Sequence, residues 1–176
     1  EINDAVRRHE GIDWVHVRHE EAGAYAAAAE AELNGIACCA GSSGPGHVHL
    51  INGLYDAHRS NASVFAIAST CSSSEFGTSY FQETNPIKLF SDCSGYNQIA
   101  TTPAQFPRML QGALQHAILK TEVAVLGIPG ALAASQPEDN PTATFAFPYL
   151  AISSPPTSEP HKFPEPYNST NRQHKH

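Results

Sequence analysis

Residues 14–46 read WVHVRHEEAGAYAAAAEAELNGIACCAGSSGPG, and this stretch decides the fold. Residues 13–17 predict a first strand, and the alanine-rich run of residues 20–33 predicts a helix. Residues 36–40 then predict a second, fully apolar strand, which ends in the glycine-rich loop of residues 41–46. In open α/β sheets, ligands bind beyond the carboxyl ends of the strands. Glu20 and the glycine-rich loop are therefore expected on one rim.

The chain continues to about residue 130 with alternating strands and helices. A continuous apolar run predicts a third, buried strand at residues 64–68, and further strands are predicted at residues 96–100 and 123–128. Apolar residues at helical spacing predict helices over residues 47–58 and 106–118 and a short one at 86–90. Strands that alternate with helices on short connections imply a parallel sheet with helices on both faces. The expected fold class is therefore α/β.

Length, composition and charge restrict the domain organisation and the partners. A chain of 176 residues is long enough for one buried core, and its net charge of -7 argues against nucleic acid and anionic membranes as partners. No apolar stretch approaches the roughly 20 residues that span a bilayer, so no transmembrane segment is expected. We expect one domain over residues 1–134 and a linker or tail over 135–176, which is rich in Pro, Ser, Thr and His.

The four cysteines, at positions 38, 39, 71 and 93, have no C-x-x-C spacing. Cys38 and Cys39 are neighbours in a predicted strand, so their side chains are expected to point to opposite faces and not to bridge each other. We expect free thiols in a reducing compartment, and on this basis a cytoplasmic protein.

The residues that could carry chemistry have structural alternatives. Glu20 would be stabilised by the helix dipole even without a ligand, and residues 41–46 match neither the G-x-G-x-x-G fingerprint nor the P-loop. His47 and His49 are two positions apart and do not share a helix face, so no metal site is expected. No G-x-S-x-G motif supports a hydrolase.

Taken together, five motifs in register resemble the pyrimidine-binding domain of thiamine diphosphate enzymes, and most of all that of pyruvate oxidase and pyruvate:quinone dehydrogenase. The resemblance covers residues 10–130, and the motifs are Arg18-His19-Glu20-Glu21, the alanine run 22–30, Gly41-Ser42-Ser43-Gly44-Pro45-Gly46, residues 49–54 and Phe81-Gln82-Glu83-Thr84. It implies that Glu20 hydrogen-bonds a ring nitrogen of the cofactor and activates it for decarboxylation of pyruvate. The other site residues that it implies are Gly44, Pro45, Gly46 and Asn52 for the cofactor, and Phe81 and Gln82 for the substrate or flavin side.

The resemblance also implies partners. The family holds the diphosphate and Mg²⁺ with a Gly-Asp-Gly motif, which these 176 residues do not contain, and FAD on a separate domain. We therefore expect these groups to come from domains outside this chain, in a homodimer, a higher homo-oligomer or a complex with a partner chain. The first strand of the domain is expected to be missing ahead of residue 1. The alternatives are a non-catalytic relic or binding module, and part of an acetolactate synthase-like carboligase.

Overall fold

The computed structural model describes residues 2–135. Its helices and strands, in chain order, are α1 (Ile2–Arg7), α2 (Glu20–Asn34), β1 (Ala37–Gly41), α3 (Pro45–His49), α4 (Ile51–Arg59), β2 (Val64–Thr70), α5 (Pro86–Leu89), β3 (Tyr96–Ile99), α6 (Phe106–Lys120), β4 (Ala124–Pro129) and α7 (Gly130–Ala133). One 3-10 turn, Ser73–Glu75, lies in the long loop between β2 and α5. The predicted tail from residue 136 onward lies outside the described residues.

The four strands form one parallel sheet in the order β1-β2-β4-β3. In its register, Cys39 of β1 lies opposite Ala66 of β2, and Ala66 lies opposite Val125 of β4. Because the strands are parallel, the segments that follow β1 and β2 leave the sheet at the same edge. The glycine-rich loop and the long loop 71–85 are therefore neighbours.

Alternating residues of the central strands β2 and β4 enter two separate cores. Val64 and Ala66 of β2 belong to the core that contains the buried residues of α2 and α4, while Phe65 belongs to the core that contains those of α6. Residues buried on both sides are typical of a central parallel strand. The predicted α/β class, with helices on both faces of a parallel sheet, is confirmed.

Helix α2 packs closely on α4 because both contribute small residues at their contact. A Cβ atom built on Gly53 of α4 would lie 2.5 Å from the Cβ of Ala24 and 2.6 Å from the backbone nitrogen of Tyr25. The helix ends at Asn34, one residue beyond the predicted run, because Gly35 adopts φ 93° and its N–H donates to the carbonyl of Ala31 at 2.8 Å. This packing fixes the position of Glu20, the first residue of α2.

The predicted strand at residues 13–17 is wrong. This segment is irregular, and among residues 2–135 no strand pairs with it. Two of its apolar side chains are also exposed, with Trp14 at 41% and Val15 at 78%, while Val17 is half-buried. A strand exists only where a neighbour accepts its backbone hydrogen bonds, and a local apolar pattern does not supply that neighbour.

Other boundaries shift by a few residues. The helix predicted over residues 47–58 is divided at Leu50 into α3 and α4. The helix predicted over residues 106–118 begins at Phe106 as expected, with Pro107 in its first turn, and continues to Lys120.

Two further expectations concern the thiols and the membrane. All four cysteines are free, and the neighbours Cys38 and Cys39 differ in burial, with Cys39 buried and Cys38 exposed. Within the described part of the chain, no helix has the length and apolar character needed to cross a membrane.

Candidate functional site

Glu20 is held at the N-terminus of α2 by a hydrogen bond from another helix. Its Oε2 lies 3.1 Å from Nδ1 of His49, the last residue of α3. This bond is the main cause that lowers the pKa of Glu20 below 4.5, and desolvation opposes it. The side chain is 31% exposed, so the carboxylate is ionised at neutral pH and still accessible.

The Gly44-Pro45-Gly46 turn lies directly beside this carboxylate. A Cβ atom built on Gly46 would lie 3.1 Å from Glu20 Oε1 and would collide with the side chain of Ser42. Only glycine fits at position 46, because any side chain there would meet Ser42 and Glu20. Pro45 occupies the first turn of α3, where its missing N–H costs no helix hydrogen bond. The structure thus brings Glu20 and the glycine-rich loop together on one rim.

Asn52, in the first turn of α4, contacts Glu21, the residue that follows Glu20. Its Nδ2 donates to Glu21 Oε1 at 3.0 Å, which links α4 to the start of α2. Glu20 and Glu21 therefore have different partners, since one is bonded to α3 and the other to α4.

The long loop 71–85 brings Gln82 against the glycine-rich loop. Ser43 Oγ donates to the Gln82 carbonyl at 3.1 Å, and a Cβ atom built on Gly44 would lie 2.7 Å from the Gln82 Cβ. Phe81 is 80% exposed on the same turn. A cleft of about 810 Å³ is lined by residues of this loop, such as Tyr80 and Thr84, together with Thr70 of β2 and Ile99 of β3.

His47 connects these loops from inside the fold, a role that its sequence position did not indicate. The side chain is fully buried, with Nδ1 2.7 Å from the Ser69 carbonyl and Nε2 hydrogen-bonded to Thr84 Oγ1. Because a carbonyl only accepts, Nδ1 carries the proton, and Nε2 of the neutral ring accepts from the Thr84 hydroxyl. Burial lowers the pKa of His47 below 6.5, which favours this neutral form.

His19 and His49 also meet at the site. Their rings stack with centroids 4.4 Å apart, and the Nδ1 of His19 accepts a hydrogen bond from the Glu21 N–H at 3.3 Å as the N-cap of α2. The sequence spacing alone predicts part of this arrangement. In a helix that begins at Pro45, His49 lies on the same face as Pro45, one turn later. The pairing with Glu20, 29 positions away, was not visible in the sequence.

Comparisons with known proteins agree with this architecture. Residues 1–89 match the family model described as thiamine pyrophosphate enzyme, N-terminal TPP binding domain. The chain is 50% identical over 143 residues to an uncharacterized 42.6 kDa protein of Pseudomonas amyloderamosa, covering 81% of this chain and 36% of the relative. It is 42% identical over 148 residues to YdaP of Bacillus subtilis, named as a thiamine pyrophosphate-containing protein, covering 81% of this chain and 26% of the relative.

Pyruvate oxidase of Lactiplantibacillus plantarum is 41% identical over 119 residues, covering 67% of this chain and 20% of the relative. Acetolactate synthase subunits follow, at 30 to 32% identity. The chain spans about a third or less of the length of the first relatives. It belongs to the thiamine pyrophosphate enzyme family, in which it is the N-terminal domain that binds this cofactor.

Proposed function

We propose that Glu20 is the carboxylate that activates thiamine diphosphate, and that the chain forms one half of the cofactor site of an enzyme that decarboxylates pyruvate. The observation that carries this proposal is the position of the carboxylate. Oε2 is held by His49, and Oε1 lies beside Gly46, so the ionised carboxylate stands directly at the Gly44-Pro45-Gly46 turn. Gly44, Pro45 and Asn52 complete the proposed cofactor contacts.

The Glu20 carboxylate suits the aminopyrimidine ring of the cofactor as a hydrogen-bond acceptor. An ionised carboxylate accepts a charge-assisted hydrogen bond from a protonated ring nitrogen, and this bond is strongest where water is excluded. When bound, the cofactor supplies the electron sink for loss of carbon dioxide from a 2-keto acid. The role of Glu20 is to hold the proton at the ring nitrogen, while His49 orients the carboxylate.

The reaction requires parts that we propose come from outside this chain. A diphosphate-binding domain would hold the diphosphate and Mg²⁺, in a homodimer, a higher homo-oligomer or a complex with a partner chain. Similarity to pyruvate oxidase supports pyruvate as the substrate and an oxidoreductase reaction with FAD as the electron acceptor. Phe81 and Gln82 would face the substrate or flavin side, and we propose a cytoplasmic location.

The test compares Glu20→Gln with Glu21→Gln, a matched control one residue along the same helix. Each full chain is combined with the diphosphate-binding part of a full-length relative such as YdaP, and release of carbon dioxide from pyruvate is measured. Loss of the activating carboxylate should lower the rate by about 10²- to 10⁴-fold, whereas Glu21→Gln should remain near the wild-type rate. Restored activity that survives Glu20→Gln would refute the proposed role.

A carboligase is the second candidate, because acetolactate synthases are among the relatives. The products of the same reconstituted reaction separate the two, since an oxidase releases acetate or a derivative of it and the carboligase releases acetolactate. A third result, no turnover and no cofactor binding with any partner, would favour a non-catalytic binding module.

A further inference from the structure

A cluster of two histidines and a carboxylate lies at the rim of the site. His19, Glu20 and His49 each offer one ligand atom, and these atoms all lie within 4.8 Å of one another. The three residues come from the start of α2 and the end of α3, so the fold alone brings them together. It is the one such group of three or more among residues 2–135.

We propose that His19, Glu20 and His49 bind a transition-metal ion of the Zn²⁺ type, and that this ion competes with the cofactor for Glu20. The competition rests on the proposed function of Glu20, whereas metal binding itself does not. Two imidazoles and one carboxylate are a common ligand set for catalytic zinc, which keeps a further position for water. Hard ions such as Mg²⁺ prefer sites made of oxygen atoms and are not expected here.

Binding requires the two imidazole rings, which stack with centroids 4.4 Å apart, to turn so that their nitrogens converge on one ion. Ligand atoms in a tetrahedral zinc site lie about 3.3 Å apart, from bond lengths of about 2.0–2.2 Å. Glu20 Oε2 and His49 Nδ1 are already 3.1 Å apart. The side chains of His19 and His49 are 50% and 41% exposed, so both can turn toward a shared ion.

The local charge also favours a cation. Glu21 Oε2 lies 3.7 Å from His19 Nδ1, so a second carboxylate stands beside the cluster. Among the described residues, no lysine or arginine forms a salt bridge with Glu20 or Glu21. A divalent ion would add to the partial compensation that the N-terminus of α2 already provides for these two carboxylates.

Calorimetric titration of the full chain with ZnCl₂ tests the site. The sequence places His174 and His176 at its end, so both are first changed to Ala in every sample to remove an unrelated binding site. His19→Asn keeps a good helix cap, and His49→Gln keeps a hydrogen-bond donor for Glu20, yet each removes one metal ligand. His16→Asn, in the exposed segment before α2, is the matched control.

The expected result is one zinc ion per chain, with an affinity about tenfold or more weaker in both ligand variants. The control should match the parent chain, and Mg²⁺ should not displace zinc. Equal zinc affinity in the parent, His19→Asn and His49→Gln would overturn the proposal. Circular dichroism confirms that each variant is folded before titration.

The competition is measured on the chain assembled with its diphosphate-binding partner, with free Zn²⁺ set by a nitrilotriacetate buffer. At free zinc ten times its dissociation constant, the apparent affinity for thiamine diphosphate should fall about tenfold. His19→Asn should lose less affinity under the same conditions. Zinc binding without any cofactor binding would refute the function proposed for Glu20 and leave the metal site standing. Equal cofactor affinity with and without zinc would overturn the competition.

Discussion

Replacing Gly44 with Ala should destabilise the fold through two separate effects at the N-cap of α3. Gly44 adopts φ 69° and ψ −119°, a conformation that other L residues rarely adopt, and the strain costs about 1–3 kcal/mol. The new methyl group would also lie 2.7 Å from the Cβ and 3.0 Å from the Cα of Gln82. Overpacking of this kind costs about 1–3 kcal/mol, so the total loss is expected at about 2–6 kcal/mol.

Gly77→Ala separates the two effects. Gly77 also has positive φ, at 80°, but a Cβ atom there would meet nothing within 4 Å. It therefore carries the conformational cost without the contact, and Gly44→Ala should be the more destabilising change by about 1–3 kcal/mol. Urea unfolding, followed by circular dichroism, measures both free energies of unfolding.

A double variant identifies the contact partner. Gln82 itself has φ 65°, so Gln82→Gly removes the colliding side chain and relieves its own backbone strain. In the Gln82→Gly background, Gly44→Ala should cost about 1–2 kcal/mol less than in the parent, because neighbours in contact are not additive. The reasoning is refuted if Gly44→Ala is no more destabilising than Gly77→Ala, or if Gln82→Gly leaves its cost unchanged.

Two further predictions concern the buried histidine and the core. Because burial lowers the pKa of His47 below 6.5, the unfolded chain binds more protons as the pH falls through 6.5, so the free energy of unfolding should decrease below that pH. His47→Gln should weaken this pH dependence in urea titrations at pH 5 and 8, and an unchanged slope would contradict it. Leu54→Ala, at a fully buried site, should lower the free energy of unfolding by about 2–5 kcal/mol. Leu33→Ala, at a site 81% exposed, should lower it by about 0.5 kcal/mol or less. Equal losses would contradict the packing described above.

Most of the fold could be predicted because its signals are local. The alanine run and Gly35 define α2, and continuous apolar segments define β1, β2 and β4, whereas β3 has Asn97 and Gln98 at its centre. The segment at residues 13–17 had a similar local pattern but is irregular, because a strand also needs a neighbouring backbone to pair with.

The sequence by itself determined the α/β alternation and the presence of Glu20 and the Gly44-Pro45-Gly46 turn in motifs of a known order. The tertiary structure decided which residues meet: His49 with Glu20, 29 positions apart, and His47 with Thr84, 37 positions apart. Periodicity carries no information about such pairs, because they depend on how the strands are ordered and how closely α2 packs on α4. The zinc-binding cluster that we propose belongs to this second group, since only the packing of two helix ends brings its three side chains together.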